Sequence, residues 1–184
     1  ATPPPMEHLV VLLPVLNEEL GLAWVLERIP YTKLEEMGYK TTVLVMDGHS
    51  TDATSSVADN YGVMFVDQDD TGKGSAIRHG FREAVQLEAD AVIMLDADGT
   101  YAPEEMTALL QGLDKHSVVI GDRLNGRIAP EAMTRLNFIG NHLLTWLATA
   151  LFSATTSDVC SGYWAFRREA IHAIQLNSQS FEIE

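Results

Sequence analysis

The sequence predicts an α/β fold in which a mostly parallel sheet is covered by helices on both faces. Short apolar runs alternate with segments of helical spacing, and three such strand–helix units precede Asp96 and Asp98. This alternation is typical of parallel sheets, because each parallel connection needs a crossover. Polar residues also stand where several predicted strands end, and ligands of such sheets bind at the carboxyl ends of strands. We therefore expect a ligand site at one edge of the sheet.

The first unit begins with the apolar run at residues 9–15, which is predicted to be a strand. Apolar residues then recur at helical spacing over residues 20–29, and Pro30 ends that helix. Residues 1–7 are expected to be a poorly ordered lead. A polar connection follows Pro30.

The second unit has a strand at residues 41–46 and then a polar turn. Ser50 or Thr51 can cap the helix that follows, and Asp52 suits the positive first turn of that helix. A third, shorter strand is predicted at residues 63–66. The second unit therefore repeats the order strand, turn and helix, and the strand at residues 63–66 begins the third unit.

The third helix is predicted over residues 72–89, and the fully apolar run 91–95 is predicted to be a buried central strand. Pro103 suits the first turn of a helix that ends near Lys115. Residues 117–121 are predicted to be the fifth strand.

The last third of the chain contains one long apolar helix and a final strand–helix pair. The predicted elements are a helix at 130–152, a strand at 159–166 and a helix at 167–174. No window approaches the roughly 20 apolar residues that a membrane span needs.

The composition limits the classes of function. The 184 residues fit one domain, and the single cysteine, Cys160, excludes an intramolecular disulfide. The formal net charge is -14, from 12 Lys plus Arg against 26 Asp plus Glu. Nucleic-acid binding is disfavoured because it depends on neutralising phosphates. An anionic substrate would have to meet a local basic cluster.

Asp96-Ala97-Asp98 directly follows the predicted central strand. Side chains two residues apart in extended backbone point to the same side, so both carboxylates can face one ligand. Oxygen ligands suit Mg2+ or Mn2+, which bind carboxylates together with substrate phosphates. The pair predicts a metal-assisted phosphate or diphosphate site.

Familiar phosphate motifs fit the chain less well. Gly72-Lys73-Gly74-Ser75 lacks the upstream glycine of a P-loop, and Ile77 stands where a dinucleotide fingerprint needs its third glycine. Asp96-Ala97-Asp98-Gly99-Thr100 also resembles the nucleophile motif of haloacid-dehalogenase-like phosphatases. That family carries a lysine and an acidic pair further along the chain, whereas the last lysine of this sequence is Lys115. This alternative accounts for few other residues.

Seven stretches resemble motifs of glycosyltransferase family 2, in that family's order and across almost the whole chain. They are Pro14-Val15-Leu16-Asn17-Glu18, Asp47-Gly48-His49-Ser50-Thr51-Asp52, Gly72-Lys73-Gly74, Asp96-Ala97-Asp98, Gly121-Asp122-Arg123, Asp158 with Ser161-Gly162-Tyr163, and Phe181-Glu182-Ile183-Glu184. The resemblance implies one GT-A catalytic domain over residues 1–184, with a Rossmann-like sheet. Relatives usually continue further, so the C-terminal end is expected to be truncated.

The resemblance also implies roles for residues at the predicted sheet edge. Asp98, with Asp96, would bind Mg2+ or Mn2+ at the diphosphate of a nucleoside-diphosphate sugar. The residues implied to bind the nucleotide are Pro14, Asn17, Glu18, Asp47, Lys73 and Asp96. Thr100 stands where some relatives place a metal-binding Gln.

The later stretches are most similar to polyprenyl-phosphate glycosyltransferases, the group of dolichol-phosphate mannose synthases. Asp158 and Asp98 are the implied catalytic residues. Arg123, Arg127 and Arg135 would hold the acceptor phosphate by charge-assisted hydrogen bonds. Trp164 departs from the pattern, because the lipid-phosphate enzymes often have Arg or Lys there.

These features predict an inverting transfer of a hexose from a nucleoside-diphosphate sugar, a UDP- or GDP-hexose, to a polyprenyl phosphate. The protein would act from the cytoplasm, peripherally at the cytoplasmic face of a membrane, and would bind no nucleic acid. One alternative is a soluble family 2 enzyme that glycosylates a sugar hydroxyl with Asp158 as base. The other is a non-catalytic module that binds a nucleotide sugar.

Overall fold

The computed structural model describes residues 2, 4–121 and 162–181. The strands are β1 (Glu7–Val15), β2 (Tyr39–Asp47), β3 (Met64–Asp67), β4 (Ala91–Met94), β5 (Val118–Gly121) and β6 (Tyr163–Arg167). They form one sheet in the order β3-β2-β1-β4-β6-β5. β1 pairs in parallel with β2 and β4, and β3 pairs in parallel with β2. The mostly parallel sheet is thus confirmed.

β6 is antiparallel to both of its neighbours, β4 and β5. Its register pairs Ile93 with Ala165 and Val119 with Ala165. β6 therefore separates β4 from β5, two strands that run in the same direction. The sequence predicted a strand here but not its direction, which depends on the connection that precedes it.

The helices cover both faces of the sheet, as predicted. They are α1 (Glu19–Glu27), α2 (Tyr31–Glu36), α3 (Thr54–Asn60), α4 (Lys73–Gln86), α5 (Met106–Gly112) and α6 (Arg168–Phe181), with a 3-10 turn at Pro103–Glu105. In the part of the chain that is described, no helix has the length and apolarity to cross a membrane.

Alternate residues of β1 serve two separate cores. Leu9, Val11 and Leu13 pack with the buried residues of α1 and α5, whereas Val10 and Leu12 pack with those of α4 and α6. Because both faces are covered, the strand is apolar at every position from Leu9 to Leu13. Each such side chain contributes about 1.5–3 kcal/mol on burial. These two cores fix the strand ends that carry the polar residues.

Several element boundaries differ from the predicted ones. β1 begins two residues earlier, at Glu7, because the Glu7 N–H donates to Gly38 O at 2.9 Å and Glu7 pairs with Tyr39. α2 was not predicted at all. Leu34 is its single buried residue, so the segment has no apolar periodicity to detect. The final helix runs past the predicted end at residue 174.

The capping prediction for the helix after β2 was wrong. α3 begins at Thr54, and neither Ser50 nor Thr51 caps it. The Ser50 hydroxyl is instead bound to Asp47 at 2.6 Å, while Asp52 Oδ1 accepts from the Thr54 N–H at 3.0 Å. The predicted helix at 130–152, and the part of the last predicted strand before residue 162, lie outside the described residues.

Candidate active site

The carboxyl ends of β1, β2, β3 and β4 meet at one edge of the sheet and enclose a cavity of about 280 Å3. Each strand end, together with the start of α4, supplies part of the wall. The lining residues are Pro14, Val15, Leu16, Glu18, Gly48, Gln68, Gly72, Lys73, Ala76, Asp96, Ala97 and Asp98. The cavity therefore lies where a ligand site was predicted.

Asp96 and Asp98 stand on the wall just after β4, with Lys73 of α4 beside them. Lys73 Nζ donates to Asp96 Oδ1, and the two side chains are 34% and 14% exposed. Asp98 Oδ1 accepts from the Thr100 N–H at 2.9 Å. Burial by itself raises the pKa of Asp98, but the hydrogen bonds from Thr100 and the Lys73 charge together hold this pKa below its usual range. Asp98 is thus ionised at neutral pH.

Glu18, at the end of β1, adds a third carboxylate to the same wall. Its pKa is raised, first by burial and then by the negative charges of Asp98, Asp52 and Asp96, while Lys73 acts in the opposite direction. Like charges at one edge repel one another unless a cation joins them. A divalent cation bound at this edge would relieve the repulsion among these carboxylates.

The donor set fits Mg2+ or Mn2+ as part of a larger complex. Within the ranges described, no three His, Cys, Asp or Glu side chains are grouped closely enough to hold a metal ion without other ligands. A pair of carboxylates is nevertheless what these ions use when substrate phosphates and water supply the remaining oxygens. Asp98 and Asp96 could therefore hold an ion that arrives with a diphosphate.

Gly21 brings α1 against the backbone of this acidic pair. A Cβ atom added at Gly21 would stand 2.0 Å from Ala97 O, which is far shorter than the nonbonded contacts that Cβ atoms make. Glycine is therefore required here by close approach of two backbones. Through this contact α1 helps to position the turn between Asp96 and Asp98.

Asp47 and Asn17 do not line the cavity but join the turns beside it, with Asp47 buried and Asn17 exposed. Asp47 is 3% exposed, and its two carboxylate oxygens accept from the Ser50 N–H at 2.9 Å and the Ser50 hydroxyl at 2.6 Å. The Ser50 hydroxyl oxygen in turn accepts from the Asn17 N–H at 2.8 Å. Asn17 Oδ1 closes the network by accepting from the Thr51 N–H at 2.8 Å. This network fixes the turns after β1 and β2 to each other.

The structure thus brings Pro14, Glu18, Lys73, Asp96 and Asp98 together around one cavity. Asn17 and Asp47 hold the turns of the same edge together without lining the cavity. The roles assigned to all seven residues stay predictions. The other predicted site residues, Asp158, Arg123, Arg127 and Arg135, lie outside the described residues.

Sequence reasoning gave no role in the site to three residues, although Gly48 stands inside one of the seven stretches. Gln68 lines the cavity at the end of β3, Gly48 faces it after β2, and Gly21 packs behind it. Gln68 could have been found by its position, since it stands two residues after the apolar run at 63–66, near the end of the third predicted strand. A single glycine in a helix such as Gly21 carries no comparable signal.

Comparisons with known proteins agree with this geometry. A family model described as Glycosyl transferase family 2 matches residues 10–175. Glycosyltransferase AglJ of Haloferax volcanii is 36% identical over 182 residues, which are 98% of this chain and 57% of AglJ. The dolichyl-phosphate hexose transferase of the same organism is 34% identical over 175 residues, covering 92% of this chain and 70% of that protein. The chain thus spans little more than half the length of AglJ.

A solved structure shows the same fold. Glucosyl-3-phosphoglycerate synthase of Mycobacterium tuberculosis, in complex with Mn2+, UDP and glucosyl-3-phosphoglycerate, superposes with a TM-score of 0.58 at 24% identity. The match covers 89% of this chain and 57% of that one. At this identity the likeness shows a shared fold.

Proposed function

The chain belongs to glycosyltransferase family 2, and we propose that it transfers a hexose from a nucleoside-diphosphate sugar to a polyprenyl phosphate with inversion. The family and the GT-A fold confirm what the sequence predicted. The observation that carries the proposal is the placement of Asp96, Asp98 and Lys73 on one wall of the cavity at the end of β4. The 34% identical dolichyl-phosphate hexose transferase supports the choice of acceptor.

The cavity suits the donor nucleotide. Its diphosphate would lie at the acidic pair, where Asp98 and Asp96 would hold Mg2+ or Mn2+ against it. When bound, the ion acts as a Lewis acid that offsets charge on the departing nucleoside diphosphate. The Mn2+ and UDP in the structure of the M. tuberculosis enzyme support this cofactor choice. Lys73 supplies a further positive charge on the same wall.

The chemical step needs one nucleophile and one leaving group. A phosphate oxygen of the acceptor attacks the anomeric carbon of the hexose from the face opposite the nucleotide. The bond between that carbon and the diphosphate oxygen breaks, and its electron pair leaves with the nucleoside diphosphate. A lipid phosphate is already anionic near neutral pH, so it needs no strong general base. Asp158 would then orient the acceptor or the sugar.

The acceptor phosphate must be held in a protein of strongly negative net charge. Arg123, Arg127 and Arg135 nevertheless fall in a segment, residues 121–135, that nets +1 because three arginines oppose Asp122 and Glu131. These arginines would bind the phosphate by charge-assisted hydrogen bonds. A polyprenyl chain stays in the lipid phase, so the protein would work peripherally at the cytoplasmic face of a membrane.

The proposal is tested by following a labelled hexose. Purified protein is incubated with radiolabelled UDP-glucose or GDP-mannose, Mn2+, and either detergent-dispersed polyprenyl phosphate or soluble sugars. We expect label in the organic phase that contains the lipid, and none with Asp98→Asn. Asp114→Asn is the matched control, because Asp114 is an exposed aspartate that does not line the cavity.

Two results would contradict the proposed transfer to a polyprenyl phosphate. Transfer to sugar hydroxyls without transfer to the lipid would identify a hydroxyl-directed family 2 enzyme. Binding of a nucleotide sugar with neither transfer nor hydrolysis, in any divalent metal, would identify a binding module.

A further inference from the structure

Gln68 is a buried polar residue on the cavity wall. It follows the last residue of β3, and its side chain is 4% exposed. The backbone N–H of Gln68 donates to Asp47 O at 2.9 Å, and this hydrogen bond fixes the Gln68 backbone to the end of β2. A buried carboxamide needs partners for both its nitrogen and its oxygen. The two ends of this group differ sharply in what they contact.

The carboxamide nitrogen is fully engaged by its own loop. Nε2 donates to Asp70 O at 2.5 Å and to Gly72 O at 3.2 Å. Two carbonyl oxygens can be approached only by the NH2 end, so this arrangement also identifies which end is the oxygen. Both N–H groups are used, so the side chain is held in place.

The carboxamide oxygen is left facing the cavity. Oε1 lies beside Gly48, 3.2 Å from where a Cβ on that glycine would stand, and both residues line the cavity. No hydrogen bond to Oε1 is found among the residues that the structure describes. Among the same residues, the side-chain polar atoms that are fully buried and have no hydrogen-bond partner are Thr41 Oγ1, His116 Nδ1 and Trp164 Nε1. Gln68 Oε1 is not one of these fully buried atoms. Gln68 Oε1 is therefore a fixed acceptor that is open to a ligand.

The strand order indicates which part of a nucleotide reaches this oxygen. β3 and β4 are separated by β2 and β1, so their ends stand three strand spacings of about 4.8 Å apart, or roughly 14 Å. A diphosphate at Asp96 and Asp98 would place the nucleoside toward Gly48 and Gln68. The nearby carboxylates are placed less well for the base, because Glu18 belongs to the acidic group, whereas Asp47 is 3% exposed and does not line the cavity.

We propose that Gln68 Oε1 accepts a hydrogen bond from the ring N–H of the donor's base and so selects uracil or guanine over cytosine and adenine. This inference rests on the proposed function and adds the base class to it. Uracil carries a proton on N3 and guanine carries one on N1. The corresponding nitrogens of cytosine and adenine are acceptors, which would meet Oε1 with no proton between them. Because both N–H groups are engaged, the carboxamide cannot turn to offer a donor instead.

The first test compares nucleotides on the unaltered protein. Dissociation constants for UDP, GDP, CDP and ADP are measured by calorimetry with Mn2+. We expect UDP or GDP to bind at least about tenfold more tightly than CDP and ADP, since an unmatched buried acceptor costs that much or more. Whichever of the two binds better names the base, and its methylated analogue, N3-methyl-UDP or N1-methyl-GDP, should lose the same factor.

The second test separates base selection from loop support. Gln68→Met keeps the length of the side chain but removes both hydrogen-bonding ends. Loss of the loop contacts lowers affinity for all four nucleotides alike, whereas loss of Oε1 brings their affinities to within about twofold of one another. Arg82→Met is the control, because the ion pair of Arg82 with Asp69 supports the same loop, while both carbonyl partners of the Gln68 carboxamide stay in place. This variant should keep the ratio between nucleotides.

Each outcome bears on one proposal. Equal binding of CDP and UDP or GDP by the unaltered protein, full binding of the methylated analogue, or an unchanged ratio in Gln68→Met would overturn the role of Gln68 alone. Failure to bind any nucleoside diphosphate would overturn the proposed function itself. The analogue experiment needs no variant, so it remains decisive if Gln68→Met does not fold.

Discussion

Lys73 donates a hydrogen bond from Nζ to Oδ1 of Asp96, and this ion pair joins the start of α4 to the turn after β4. The ammonium group thus occupies a carboxylate that is also a predicted metal ligand. Lys73 and a divalent cation would compete for Asp96 when no nucleotide is present. Once a diphosphate arrives, it offers Lys73 another partner.

This competition predicts effects of opposite sign in Lys73→Met. Mn2+ alone should bind about two- to fivefold more tightly, which matches a partly exposed ion pair. The nucleoside diphosphate with Mn2+ should bind more weakly, because one positive charge near the phosphates is gone. Calorimetric titrations with and without nucleotide measure both. Weaker binding of Mn2+ alone would show that Lys73 supports the metal ligands. Lys33→Met, at an exposed site on α2, is the control.

The contact between Gly21 and Ala97 predicts a site-specific effect of Gly21→Ala. Alanine favours a helix by about 1 kcal/mol over glycine, but the new methyl group must displace the Ala97 backbone or α1. We expect lower thermal stability and at least tenfold weaker binding of the nucleotide with Mn2+.

Gly80→Ala is the matched control for that variant. Its Cβ would stand 2.5 Å from Leu12 Cδ1, the end of a side chain that can rotate away. Gly80 also lies in a helix, and the contact is with the core on the other face of the sheet. Stability should fall, while nucleotide affinity stays within twofold. Equal losses of affinity in the two variants would contradict a positioning role for Gly21.

Tyr163 predicts a pH dependence of stability at alkaline pH. Its hydroxyl donates to Ala102 O at 3.0 Å, and burial, followed by the charges of Glu105 and Glu104, raises its pKa well above the usual value of 10.0. The folded protein therefore keeps the proton that the unfolded chain releases. The stability that Tyr163 contributes is complete below pH 10 and falls as the pH rises above it.

Tyr163→Phe tests this linkage. The variant should be less stable by about 1 kcal/mol at pH 7, because a hydrogen bond is lost. The difference in unfolding free energy should shrink between pH 10 and 11, when measured by urea denaturation. A difference that stays constant over this range would mean that the tyrosine titrates normally in the folded state.

The sheet was predictable because its strands carry their information locally. Apolar runs covered on both faces, such as Leu9 to Leu13, are recognisable without any knowledge of their neighbours. Asp96 and Asp98 were predictable for the same reason, since a strand that ends in alternating carboxylates needs only its own spacing. The direction of β6 and the existence of α2 depend on contacts between distant segments.

Which polar residues at the sheet edge line the cavity, and which bind neighbouring turns, was not predictable from their spacing in the sequence. Asp47 ends β2 and Gln68 directly follows β3, but only the structure shows that the Asp47 carboxylate binds Ser50 while Gln68 lines the cavity. Likewise, nothing in the sequence around Gly21 signals that Ala97 lies against it. These arrangements follow from how the turns of neighbouring strands pack together.

The most direct test of the central claim, a nucleoside diphosphate bound through a divalent ion at Asp96 and Asp98, is the thermal shift given by UDP or GDP with Mn2+. At 100-fold excess over the dissociation constant, ligand and ion together should raise the melting temperature by about 5–10 °C. Asp98→Asn should abolish this shift while keeping the folded structure, and Asp114→Asn should retain it. A full shift in Asp98→Asn, or no shift with either nucleotide in the unaltered protein, would contradict the claim.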